Sequence, residues 1–104
     1  AAAAALAEDG ELYLRLARLH MDANAWAAAE EAAGLAIERG GLREEGQAWL
    51  VRGMAAARRE QFRSARDYFT EAAQHRDAAR YAAQWLAWID SEAEAARQRQ
   101  QLGS

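Results

Sequence analysis

The sequence predicts an all-α fold of antiparallel helix pairs, and three observations carry that reading. Ala occupies 30 of the 104 positions, Pro and Cys none, and the β-branched residues amount to Ile37, Val51, Thr70 and Ile89. Strands draw on Val, Ile and Thr, whereas Ala is the strongest helix former, so a β-sheet is all but excluded. Apolar residues then recur at intervals of three and four over nearly the whole stretch from Glu11 to Leu102. The length suits one domain spanning 1–104, which buries roughly two-thirds of the surface its unfolded chain exposes.

The elements follow in order. After an Ala-rich entry that ends at Asp9-Gly10, a first helix covers about Glu11 to Met21, with Leu12, Tyr13, Leu16, Ala17, Leu19 and His20 as its apolar positions. Asp22-Ala23-Asn24 interrupts it. A second helix runs from about Trp26 to Glu38 and stops at Gly40-Gly41, where glycine takes the left-handed conformation that ends helices. A third spans about Glu44 to Arg58. Arg59-Glu60-Gln61 connects it to a fourth, about Phe62 to His75, whose stripe is Ala65, Tyr68, Phe69, Ala72 and Ala73. The fifth begins near Asp77 as N-cap, keeps an apolar face through Tyr81, Trp85, Trp88 and Ile89, and turns polar from Asp90 to Gln101. Connections this short force neighbouring helices to lie antiparallel.

Composition also excludes whole classes of function. A chain without Cys has no disulfide framework and no thiolate metal site, and its redox compartment stays open. All 13 basic residues are Arg, yet the net charge is -3, which argues against a dedicated nucleic-acid binder. The longest apolar run, Ala1 to Ala7, falls far short of the roughly 20 residues of a membrane span, so no direct membrane insertion is expected.

The helices repeat. A shift of 36 places Tyr13 on Trp49, Leu14 on Leu50, Ala17 on Gly53, Trp26 on Phe62, Ala29 on Ala65, Ala33 on Phe69 and Ala36 on Ala72, and carries Trp49 onto Trp85. The series Trp49, Gly53, Phe62, Ala65, Phe69, Ala72 resembles the tetratricopeptide repeat, which sets large aromatics and small residues at these spacings. Arg52 stands where that family prefers Leu, Ala56 and His20 where it prefers Tyr, and Asp77 and Gly41 where Pro closes the repeat. The resemblance implies a right-handed stack: repeat one at about 11–41, repeat two at about 44–77, and a capping helix at about 78–102. About three units are usually needed for stability. Two and a half suggest a fragment of a longer array, or a small array that completes itself by association. The stretch from Gly40-Gly41-Leu42 through Gly53 to Ala83-Gln84-Trp85-Leu86 and Ser91-Glu92 is also similar to the C-terminal end of exported repeat proteins in gammaproteobacteria that accompany TonB-type systems. That likeness implies a periplasmic scaffold at an inner-membrane complex.

No residue cluster points to catalysis. Glu30-Glu31 and Glu44-Glu45 diverge by about 100° on a helix and are read as solvated surface. His20 and His75 stand in different repeats without acidic ligands at metal-binding spacing, and His20 is read as a packing residue. Ser64, Thr70, Ser91 and Ser104 have no strand-to-helix elbow to activate them, and Gly40-Gly41 lacks the further glycines and Lys of a phosphate loop. The expectation is a non-enzyme without cofactor or metal.

Stacked helical repeats recognise partners on the concave face lined by their first helices. The resemblance assigns that groove to Leu14, Arg15 and Arg18, with Glu11 and Met21, from the first unit, and to Gln47, Leu50, Val51, Met54 and Arg58 from the second. The cap adds Ala83, Leu86 and Asp90. Aliphatic area interspersed with Arg suits a protein or peptide partner with acidic groups, because guanidinium binds carboxylate bidentately. Leu50 and Met54 stand where some family members place the Asn and Lys that clamp a C-terminal carboxylate, so that mode is not expected. Trp26 and Trp49 fall on packing positions. Trp85 and Trp88, three apart, cannot both point inward, and the exposed one is a candidate anchor for a homo-oligomer interface.

Overall fold

The computed structural model describes residues 9–103, so the Ala1 to Ala7 run and Ser104 lie outside the described residues. Five helices follow one another: α1 (Gly10–Asp22), α2 (Trp26–Arg39), α3 (Glu45–Arg58), α4 (Phe62–Ala72) and α5 (Ala79–Gly103). No strand occurs among the described residues. Each helix packs mainly on its neighbours in chain order, with α1 also reaching α3 and α3 reaching α5.

The starts and stops have local causes. The Asp9 carboxylate accepts the Glu11 N–H at 2.9 Å, satisfying one of the free donors at the start of α1. At its end Asn24 takes a left-handed φ of 60°, and the Ala25 N–H reaches back to the His20 carbonyl at 2.8 Å. The same device recurs 36 residues on, where Glu60 has φ 58° and the Gln61 N–H reaches the Ala56 carbonyl at 3.0 Å. Gly40 and Gly41, at φ 76° and 71°, turn the chain out of α2. This loop is tied to the start of α1, because the Gly10 N–H donates to the Gly40 carbonyl at 3.1 Å and the Arg43 N–H to Glu11 Oε1 at 2.9 Å.

Two expectations at the second half are corrected. The fourth helix ends at Ala72, not His75. Residues 73–78 form tight turns in which the His75 N–H meets the Ala72 carbonyl and the Ala78 and Ala79 N–H groups meet the His75 carbonyl. These turns press on the start of α3, where a Cβ at Gly46 would lie 2.7 Å from both the His75 and the Ala78 Cβ. Asp77 is not an N-cap: α5 begins two residues later, and the Asp77 carbonyl instead accepts Gln47 Nε2 at 3.2 Å.

Two apolar cores share the half-buried Met54. One gathers Leu14, Ala17, Ala32, Ala33, Ala36, Ala48 and Val51. The other gathers Leu50, Ala56, Ala57, Ala65, Phe69, Ala72, Ala78, Ala82 and Ile89. Being central to both, α3 is buried around most of its circumference, including Gly46 and Gly53. Most of these contacts are Ala, so the helices approach closely and the bulk comes from Phe69 and Ile89, the largest side chains that are fully buried. A Cβ at Gly53 would lie 2.6 Å from Phe69 Cε1, a separation at which something must shift.

Gly53→Ala is therefore expected to destabilise the fold by about 1 to 3 kcal/mol. Gly34→Ala, whose Cβ would meet only Arg52 at 3.4 Å, is expected to be neutral or to stabilise by up to about 1 kcal/mol through helix propensity. Urea unfolding of the pair checks both; equal midpoints would contradict the account of Gly53. Glu60→Gly is expected to raise stability by roughly 0.5 to 1 kcal/mol, since it relieves a left-handed side chain; a fall in the unfolding midpoint would count against that strain.

Candidate functional site

A groove crosses the inner side of α1, α3 and α5. It consists of three adjoining hollows of about 170, 560 and 470 Å³. The first two share Arg18, Glu44 and Gln47, and the last two share Met54 and Trp85, so the surface is continuous. Leu14, Glu11 and Arg43 close one end, and Arg58, Gln84 and Trp88 close the other.

The aromatic wall is built by stacking. Phe69 on α4 lies under Trp85, with centroids 5.4 Å apart and planes 6° from parallel. Trp88 then meets Trp85 edge-on at 5.4 Å and 86°. Such geometries favour the ring quadrupoles. Trp85 is thereby half-buried, while Trp88 keeps 40% of its surface exposed at the groove's end. Facing it, the Arg58 guanidinium lies 5.3 Å from the Trp26 ring centroid, a cation–π contact that holds the side chain without neutralising it. Neither Arg18 nor Arg58 enters an ion pair among the described residues, so both charges are available at the groove.

The structure brings most of the expected groove residues together and removes others. Arg18, Gln47, Leu50, Met54 and Arg58 line the groove, and Leu14 contributes at one end although largely buried. Val51 is a correction: it is buried in the core with Leu14, Ala33 and Ala48, because the side of α3 that bears it faces α1 and α2. Arg15 is exposed on α1 but lines none of the hollows. In α5 the groove side is Tyr81, Gln84, Trp85 and Trp88, not Ala83, Leu86 and Asp90. The inward stripe Ala82, Leu86, Ile89 sets that rotation, and Asp90 pairs with Arg66 on α4.

Sequence reasoning also missed the role of polar residues in packing. Glu30, read as solvated, binds Arg59 Nη1 through Oε1 at 2.8 Å and accepts the Tyr68 hydroxyl at Oε2 at 3.5 Å, bracing one helix pair on the next. Arg52 replaces an aliphatic contact by lying 4.3 Å from the Tyr68 centroid and 5.6 Å from that of Trp49. An Arg three residues after a Trp on one helix, as Arg52 is after Trp49, is a weak sign of such stacking; the Glu30 contact spans 29 residues and leaves no local sign. His20 is half-buried, and His75 Nε2 lies 3.4 Å from Glu45 Oε2. On the distal half of α5, the Arg97 hydrogen bond and charge hold the Glu94 carboxyl below its ordinary value. Among the described residues, no group of three or more His, Cys, Asp or Glu is placed to hold a metal ion, and no helix is long and apolar enough to cross a membrane.

Comparison with protein-family models, curated proteins and solved structures found no match to this chain.

One groove residue carries an unsatisfied group. Asp77 Oδ2 is buried without a hydrogen-bond partner, which costs about 1 to 3 kcal/mol for a polar atom out of water. Asp77→Ala, which keeps the backbone bond to Gln47, is expected to leave stability unchanged or to raise it by about 1 kcal/mol. A loss of that size on chemical denaturation would mean the carboxylate is held by a group in solution.

Proposed function

We propose that this chain is a non-catalytic interaction module: a right-handed stack of two tetratricopeptide-like helix pairs with a C-terminal capping helix, which holds a peptide or protein segment in its inner groove and so acts as scaffold or adaptor. The observation that carries the reading is the continuous groove whose two unpaired arginines, Arg18 and Arg58, flank an apolar floor of Leu50 and Met54 and a wall of Trp85 and Trp88. Support for the repeat comes from the turns, since Asn24 and Glu60 adopt the same left-handed conformation 36 residues apart, in register with the apolar pattern.

The ligand that suits this surface is an acidic segment with one bulky apolar residue. The apolar side chain would sit against Met54, Trp85 and Trp88, a contact of the kind that dominates peptide affinity. Carboxylates beside it would meet Arg58 or Arg18, where planar guanidinium gives directional hydrogen bonds. Self-association through α5 is the competing reading. It is weakened by the stacking of Trp85 on Phe69, which leaves Trp88 as the exposed ring of the two.

Selection from a displayed peptide library tests the reading. The wild type is expected to enrich sequences with a large apolar residue next to Asp or Glu, and Arg18→Glu with Arg58→Glu to weaken those binders by about tenfold or more while keeping its helical circular dichroism. Enrichment no better than that of an unrelated helical protein would overturn the proposal.

A further inference from the structure

The outward side of α1 carries a second apolar surface that the groove does not use. Leu12 is 38% exposed, Leu16 40% and Leu19 60%, and Ala23 is exposed beside them. Leu14 and Ala17, on the same helix, are buried in the core, so the stripe points away from it. Three leucines exposed in one row are more than the scattered apolar residues of an ordinary surface.

Their spacing is that of a helix-pairing seam. Leu12, Leu16, Leu19 and Ala23 follow one another at four, three and four residues, the a and d positions of a heptad seam. Arg15 and Asp22 then fall on one flank, and Tyr13 and His20 on the other. When a second α1 is laid antiparallel, Leu16 faces Leu19 of the second copy and Leu12 faces Ala23, large against small. The same two-fold axis sets each Arg15 against Asp22 of the other copy, twice over. Both residues are exposed, and neither forms an ion pair among the described residues. A parallel pairing would bring Arg15 to His20 and leave Asp22, the last residue of α1, with no residue of the second α1 opposite it.

We propose that the chain forms a two-fold dimer through α1, with Leu12, Leu16, Leu19 and Ala23 as the seam and reciprocal Arg15–Asp22 pairs fixing the antiparallel register. The interface uses the same patch on both copies and so closes at two. Its seam is only about 17 Å long. It is therefore smaller than a standard interface of about 800 Å² per partner, which makes the dimer weak and dependent on concentration. The proposal does not rest on the groove, and it gives Arg15 the role that the groove does not.

Light scattering coupled to size exclusion, over about a hundredfold range of concentration, reads the outcome directly. The mass of the wild type is expected to climb from 11.5 kDa towards about twice that value. Leu16→Glu should hold the single-chain mass. Arg15→Glu should weaken association by about tenfold, and Arg15→Glu with Asp22→Arg should restore it, a recovery that damage to the fold cannot produce. Circular dichroism of each variant separates dissociation from unfolding. A wild-type mass constant near 11.5 kDa overturns the proposal, whether another segment of the chain or solvent covers the stripe. So does an association that Trp88→Ala abolishes and Leu16→Glu leaves intact, or a double charge variant that does not recover.

Discussion

The approach of Phe69 to the bare backbone at Gly53 is the contact on which the rest of this structure depends. A chain so rich in Ala has few side chains large enough to fill an interior, and burial of one aromatic ring contributes roughly 1.5 to 3 kcal/mol. Phe69 reaches that depth only because α3 offers no Cβ beneath its ring edge. One face of the ring is then covered by Trp85. Trp85 in turn fixes Trp88, edge to face, at the mouth of the groove. The path from a glycine on α3 to the candidate recognition surface on α5 therefore runs through three rings in contact, and each link is a packing requirement rather than a surface choice.

Much of this was legible in the sequence, and the limits have physical causes. Spacing of three and four, with no Pro and little β-branching, located all five helices. The breaks at Asp22-Ala23-Asn24 and Arg59-Glu60-Gln61 were visible because a helix that folds back needs a residue in the left-handed region, and they stand at the repeat distance. Rotation about each helix axis was less legible. On α3 the flanking residues are Ala and Gly on nearly every side, so a count of apolar positions could not tell that Val51 turns to one core and Leu50 to the other. On α5 the inward residue is set by Ile89 and Ala82, which puts Trp85 and Trp88 on the groove side and leaves Leu86 packed.

Arginine accounts for most of what the sequence concealed. With no Lys in the chain, Arg serves both as surface charge and as packing material. Arg52 lies over Tyr68 where an aliphatic residue was expected, and Arg39 and Arg58 cover Tyr13 and Trp26 at 5.7 and 5.3 Å. A planar guanidinium is weakly hydrated and stacks where an ammonium would not. Ion pairing is a lesser factor, because the Arg66–Asp90 and Arg97–Glu94 pairs are solvent-exposed, where water screens the attraction and holding two long side chains in one geometry costs entropy. The Glu30 carboxylate differs: it is mostly shielded from solvent and receives both Arg59 and Tyr68, so it fixes the register between the helix pairs.

Helix α1 is where the two proposed surfaces meet. Residues on an α-helix advance by about 100° each, so Arg18 and the row Leu12, Leu16, Leu19 occupy different sides of one cylinder. Arg18 lines the groove with Gln47, and the leucines face away from the core that Leu14 and Ala17 enter. Pairing along the leucine row would leave Arg18, Met54, Trp85 and Trp88 open in both copies. A dimer of this kind presents two grooves related by a two-fold axis. A partner carrying two suitable segments would bind the second at the effective concentration set by the linker between them, gaining avidity without any new contact. Weak association and weak peptide recognition would then reinforce each other, which gives a small, Ala-rich module a route to selectivity that neither surface supplies alone.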